Sequence, residues 1–194
     1  LEPIERTVYR DFANRHLARN GKTISDEAFS YIYGRFDGVT WYIQYILNML
    51  YTAISTDSIL TTDDAKAAIA GILAQHRFAY QALVYQLTSK QKQVLTAIAA
   101  ENGPTSIMSQ AFLRKYGLGA STVQGAVKVL LDRDFISQDD GAYRLCDKFL
   151  EMYLQEELQS YKGLEYKQRN NNNVKITAKD NFSAFLLLTL HSDN

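Results

Sequence analysis

The 194-residue chain has a single cysteine, Cys146, so no internal disulfide framework can hold it together. That scarcity fits a reducing, cytoplasmic setting. Two prolines and ten glycines are too few for a collagen-like chain, and 12% aromatics are too many for a fully disordered one. No apolar run approaches the ~18 residues a membrane helix needs, which excludes a spanning protein. There is no excess of either charge: Lys plus Arg total 21, and Asp plus Glu total 21. The balance holds locally, at 8 basic to 9 acidic before Thr88, 9 to 9 from Thr88 to Gly163, and 4 to 3 beyond. A dedicated nucleic-acid binder usually carries a basic excess, so neutrality counts against that class. The chain starts at Leu1 rather than methionine and has no secretory signal segment, so it reads as a piece of a longer protein.

Catalytic groups are equally sparse. Of three histidines, His16 and His76 fall in helical stripes and His191 lies near the end. None stands at ligand spacing from Cys146 or from another histidine, which leaves no metal site. Cys146 itself reads as a small core residue. Gly21-Lys22-Thr23 ends like a phosphate-binding loop, but that motif needs a further glycine five positions earlier, where His16 stands. It also follows a helix rather than a strand, so Gly21 is read as a helix stop.

What is present is helical periodicity. A first helix spans about Glu5 to Arg19, pairing Val8 with Phe12 and aligning Tyr9, Ala13 and Leu17. Ser25 caps a second, whose Phe29, Ile32, Tyr33 and Phe36 form one apolar stripe. Asp37-Gly38 breaks it, and Thr40 caps a third helix. From Trp41 to Tyr51 that helix is apolar nearly all round, which predicts burial on every side, with Trp41 and the tyrosines in the core. Gln44 and Asn48, its strongly polar members, are four apart and share a face. Thr62 starts a long helix carrying Ile69, Ile72, Leu73, Tyr80, Leu83 and Leu87, with Gly71 inside it.

A second unit begins near Thr88, which forms a capping box with Gln91 ahead of Val94, Leu95 and Ile98. A shorter helix, Ser109 to Tyr116, stops at Gly117. Ser121 with Gln124 has capping-box spacing and opens a helix burying Val123, Val127 and Leu130. Two short strands, Phe135–Gln138 and Ala142–Leu145, flank Asp140-Gly141, a tight-hairpin signal. Asp147 caps a last helix. Three helices, a hairpin and a helix is the order of a winged helix. The fold is therefore expected to be mainly α, a helical bundle followed by a winged helix-turn-helix with one small β-hairpin. If that unit binds DNA, its third helix offers Ser121, Thr122, Gln124 and Lys128 to the groove. Its wing tip is Asp139-Asp140, which repels phosphate. The bland reading of the same unit is a module that packs on other protein. Beyond it, Lys167 to Asn173 is Asn-rich and reads as disordered, and Ala184 to Leu190 is a short apolar segment.

Two stretches together resemble a known group. Leu1-Glu-Pro-Ile4, Tyr9-Arg-Asp-Phe-Ala13 and the run from Phe36 to Asn48 resemble the lid of archaeal-type ATPases, which are signal-transduction NTPases of the AAA+ class also found in bacteria. Leu87 to Leu95 and onward through Tyr143 resembles the winged helix that follows that lid. The resemblance covers roughly Leu1 to Tyr161. It implies a lid domain over 1–87, a winged helix over 88–163 and an Asn-rich tail over 164–194. It also implies an upstream nucleotide-binding domain carrying the Walker motifs, which this chain lacks. ATP or ADP with Mg²⁺ would be bound by that parent protein, and this part alone would be inactive. The lid residues implied to face the nucleotide are Pro3, Ile4, Gly38, Thr40 and Trp41. Relatives with Gly-x-Pro at this helix start place a proline where Thr40 stands. The implied function is a regulatory lid and winged helix coupling nucleotide state to a protein partner. The alternative is a winged-helix DNA-binding regulator with a helical dimerisation or sensing domain.

Overall fold

The structure, a computed structural model, describes residues 2–53 and 57–172, with side chains as far as residue 160. The chain divides into two compact units, 1–76 and 77–194. Among the described residues there are eight α-helices, a two-stranded parallel pair and an antiparallel hairpin.

In the first unit, α1 (Arg6–Leu17) starts where the Glu5 carboxylate accepts the Thr7 and Val8 N–H groups, each at 2.9 Å. The chain stops at Gly21 in the left-handed region (φ 66°) and turns into β1 (Thr23–Ile24). Ser25 caps α2 (Asp26–Arg35) through the Ala28 N–H. Asp37 and Gly38, both at positive φ, turn the chain into α3 (Thr40–Ala53). Its first ladder bond runs from the Ile43 N–H to Val39, so Val39 holds the N-cap position that Thr40 was expected to take. β2 (Ile59–Leu60) pairs parallel with β1, Ile24 opposite Leu60, and α4 (Thr62–Tyr85) follows. Its cap is Thr61, which exchanges hydrogen bonds with Asp64. Tyr9, Leu17, Phe29, Ile32, Phe36, Ile43, Ile46, Leu50 and Ile72 form the core of this unit. α1 buries its Tyr9–Ala13–Leu17 face and leaves Val8 and Phe12 exposed.

The all-round burial expected of α3 does not occur. Only Ile43, Ile46 and Leu50 are buried, one stripe at helical spacing, and Trp41 is 62% exposed. An apolar surround there is unmet by the described residues. Lys22, of the dismissed phosphate-loop sequence, is buried. Its Nζ donates to the Tyr51 carbonyl in the last turn of α3 and lies 4.8 Å over the Tyr51 ring. A cation at a helix C-terminus is favourable there, so Lys22 fixes a helix end.

The second unit has α5 (Ser89–Glu101) at its centre, against α7 (Ala120–Asp132), α8 (Lys148–Asn172) and the hairpin. Every residue from Lys92 to Ala99 is buried, because neighbours surround the helix. The Thr88–Gln91 capping box is complete. α6 (Gln110–Tyr116) is capped by Ser109, and the buried Gln93 amide donates to the Tyr116 carbonyl at its far end, 2.9 Å away. β3 (Ile136–Asp139) and β4 (Ala142–Leu145) turn through Asp140 and Gly141 at φ 49° and 78°, the pair of positive values a type I′ hairpin needs. The Tyr143 N–H donates to the Pro104 carbonyl, so the loop before α6 flanks the hairpin as a third, single-residue edge. Asp147 accepts the Phe149 and Leu150 N–H groups and starts α8. The helix order, hairpin and flanking loop are those of a winged helix. α8 runs to Asn172, so the Asn-rich stretch expected to be disordered begins as helix. Residues 173–194, including the apolar Ala184–Leu190, lie outside the described residues.

One ionic contact gives this unit an acid-sensitive joint. The Glu101 carboxylate, at the end of α5, accepts from the Lys115 ammonium and from the Tyr116 hydroxyl of α6. Those bonds, Lys115 first, hold its carboxyl below the ordinary value of 4.5. Such a group contributes stability that is fully present above the ordinary value and is lost as pH falls through the lowered one. Denaturant unfolding from about pH 6 to about pH 3 should therefore show a fall that Glu101→Gln reduces, by less than about 1 kcal/mol because the pair is partly solvated.

Candidate functional site

Two surfaces hold the residues singled out in the sequence. The first is a corner of the helical unit, where Pro3 and Ile4 reach the α2–α3 turn. A Cβ at Gly38 would lie 2.8 Å from the Pro3 Cβ and 2.8 Å from the Tyr33 hydroxyl, so glycine is required both by space and by φ +71°. The Tyr33 hydroxyl donates to the Ile4 carbonyl at 2.7 Å, and the Tyr9 hydroxyl donates to the Thr40 carbonyl at 3.3 Å. Burial pushes the Tyr9 phenol above its ordinary value, which keeps it a neutral donor. Pro3, Ile4, Gly38 and Thr40 are thus brought together, and Trp41 follows one residue on. Trp41 stacks on Tyr45, with centroids 5.7 Å apart, and meets the Tyr42 ring edge-on. Ile4, Val39 and Trp41 are exposed here, and Val8 and Phe12 extend the apolar surface along α1. Exposed large apolar side chains are the residue type that interaction sites use.

Beside it, α1 and α3 enclose an open cavity of about 270 Å³. Phe12, His16 and Arg19 line one side, and Gln44, Leu47, Asn48 and Tyr51 the other. The i, i+4 spacing of Gln44 and Asn48 indicated a shared polar face. That this face lines a cavity follows from α1 packing beside it, which no local pattern shows.

The second surface is on the winged helix. α6 ends at Gly117 (φ 62°), with the Leu118 N–H closing onto the Leu113 carbonyl, and Gly119 opens α7 after a short turn. This is helix-turn-helix geometry. Ser121, Gln124 and Lys128 are exposed on α7 and Thr122 is half-buried, so three of the four lie on one open face. Ser121 is not the cap expected of it; α7 starts earlier, at Ala120, with no side-chain cap. The remaining cations nearby are engaged. Arg114 bonds Gln110, Lys115 pairs with Glu101, and Arg133 bonds Gln86 and lies over the Phe135 ring. Asp139 and Asp140 at the wing tip are exposed.

Gly125 was missed in the sequence. It is exposed in the middle of α7, at helical φ, and a Cβ there would meet nothing within 4 Å. No packing demand explains it, and it brings the helix backbone to the surface between Gln124 and Lys128. Gly125→Ala should raise the stability of this unit by about 0.5–1 kcal/mol in thermal or denaturant unfolding.

No described group of three or more His, Cys, Asp or Glu residues is arranged to hold a metal ion. Cys146 is exposed rather than in the core: it follows the last residue of β4, past the inward Leu145. Partial burial, and then the Asp134 charge, push its thiol above the ordinary range, which leaves it protonated and a poor nucleophile near neutral pH. No described helix is long and apolar enough to cross a membrane.

Residues 78–156 match the model of a family described as a probable winged helix domain. The match covers α5 to the first part of α8, together with the end of α4. No curated protein and no solved structure matches the chain.

Proposed function

We propose that this chain is the regulatory end of a nucleotide-switched ATPase, in which a helical lid couples nucleotide state to a partner surface on the winged helix. The observation that supports it is the apolar corner of Ile4, Val39 and Trp41, built on the tight Pro3–Gly38–Tyr33 junction. An upstream nucleotide-binding domain joined through Pro3 and Ile4 would be tied directly to that corner. The fit to a nucleotide is at the base end. Trp41, backed on one side by Tyr45, offers a ring for stacking, and Ile4 and Val39 offer apolar edges. The Gly38 space is filled by Pro3 and Tyr33, so Gly38 shapes the corner rather than touching the ligand. Phosphates and Mg²⁺ belong to the upstream domain, and the bound nucleotide would supply the energy difference between two lid positions. The lid contributes differential contact: the face that gains apolar cover in one position loses it in the other. The coding sequence upstream of Leu1 is the first test. A phosphate-binding loop and its acidic partner motif are expected there, and their absence would remove the ATPase reading.

A second reading is favoured by the helix-turn-helix and the open face of α7: a DNA-binding regulator reading bases through Ser121, Gln124 and Lys128. Neutral charge and the acidic wing make its phosphate contribution small. It predicts duplex binding at low salt that weakens steeply as salt rises and drops on Lys128→Ala. Absence of binding at low salt discards it.

A further inference from the structure

α1 and α3 run parallel, and the cavity between them has a direction. The Tyr9 hydroxyl donates to the Thr40 carbonyl and the Asn20 amide to the Tyr51 hydroxyl, 31 positions apart in both pairs. The lining from Gln44 to Tyr51 therefore follows about 10 Å of α3, with Phe12 towards one end and Arg19 towards the other. Tyr9, Phe12, Ala13 and Leu47 make the first end apolar, and the His16 ring lies against Phe12 with centroids 4.4 Å apart. The far end collects donors. Arg19 is exposed and forms no ion pair among the described residues. The Tyr51 hydroxyl accepts from Asn20, which leaves its own hydrogen to give. The buried Lys22 ammonium lies 4.8 Å from the centroid of that ring. Helix carbonyls that would repel an anion at this end are occupied. Those of Leu17 and Ala18 accept the Lys22 and Gly21 N–H groups, and that of Tyr51 accepts from the Lys22 side chain.

We propose that this cavity binds a small aromatic carboxylate, its ring on Phe12 and Leu47 and its carboxylate between the Arg19 guanidinium and the Tyr51 hydroxyl. Charge complementarity selects the anion. None of the lining residues is acidic, and α3 carries no charged side chain over its 14 residues. The acids nearby lie outside the cavity: Asp11 pairs with Arg10, and Asp57 lies against Gly21. Asn48, three residues before Tyr51 on the same helix face, adds an amide donor to the cationic end. Phe12, His16 and Tyr51 border the space with rings, which favours a flat aromatic body over an aliphatic one. Size selects a single ring. At about 270 Å³ the space falls just below the range of about 300–1,000 Å³ that drug-sized ligands occupy. Phe12 borders both this cavity and the exposed corner, but Trp41 is not in the lining, so the inference does not rest on the ATPase reading.

The probe is hydrocinnamate, a phenyl ring two methylenes from its carboxylate, titrated into the full chain to about 10 mM while amide NMR shifts are followed. Saturable shifts are expected at residues 12–19 and 47–51, with dissociation in the millimolar range or tighter because the cavity is open. The neutral amide of the same acid should bind about tenfold more weakly, since it forfeits the charge-assisted bonds. Arg19→Gln should cost the acid about tenfold and leave the affinity for the amide unchanged. Asn48→Trp, which fills the cavity, should abolish binding of both. Arg19 and Asn48 are exposed, so unchanged melting profiles will show that the variants still fold. No saturable shift in the parent chain would overturn the proposal, as would shifts centred on Trp41 with the cavity silent. So would equal binding of acid and amide, or a loss on Arg19→Gln that is the same for both.

Discussion

Gly38→Pro should cost the helical unit at least about 3 kcal/mol, whereas Thr40→Pro, two residues away, should leave it unchanged or up to about 1 kcal/mol more stable. At Gly38 the φ of +71° is closed to proline, whose ring fixes φ near −65°. The Gly38 N–H also donates to the Tyr33 carbonyl at 2.9 Å, a bond proline cannot make, and any Cβ would strike Pro3 and Tyr33. Thr40 is instead the first residue of α3, after Val39 at the N-cap. Proline is preferred there because the first N–H has no partner in the helix. Urea unfolding followed by Trp41 fluorescence reports on this corner directly. Equal losses for the two variants would mean that the turn is not held as described.

Leu95→Ala should destabilise the winged-helix unit by about 3 kcal/mol. Leu95 is fully buried in α5, the helix against which α7, α8 and the hairpin all pack, so the cavity left behind cannot collapse from any one side. Hydrogen exchange measured by mass spectrometry should show lost protection through 89–158. A variant that stays as protected as the parent would place the core elsewhere. The comparison with Gly125→Ala is instructive, since the two changes alter side-chain volume in opposite directions in one unit and are expected to have opposite signs.

The sequence was most readable where structure is decided within a few residues. Ser25 and Asp147 cap the helices they precede, Thr88 and Gln91 close a full capping box, and Asp140-Gly141 makes the hairpin turn, because each depends only on side chains reaching neighbouring N–H groups or on allowed φ. Where contacts come from afar, local pattern fails. β1 and β2 are two residues each and exist through bonds such as Thr23 to Ser58, 35 positions apart. Lys22 looked like part of a loop motif and is a buried cap for a distant helix. The full burial of α5 needs three neighbouring elements, so its periodicity announced only one face. Trp41 is the informative failure. Apolar composition predicted burial of α3 on every side, but only Ile43, Ile46 and Leu50 are buried and Trp41 is exposed. Of the candidate site, the meeting of Pro3 and Ile4 with Gly38 was implied only by the family resemblance. The α1–α3 cavity and Gly125 carried signals too weak to single out.

These observations put the regulatory reading on one physical requirement: the corner around Trp41 changes its cover when nucleotide changes. Hydrogen exchange of the proposed nucleotide-switched ATPase, compared with ATP and with ADP bound, tests it most directly. Nucleotide-dependent protection is expected at residues 3–12 and 38–45, accompanied by a change on α7 around Ser121 to Lys128, and Trp41→Ala should abolish the α7 change. Identical exchange at the corner in both nucleotide states would contradict the account.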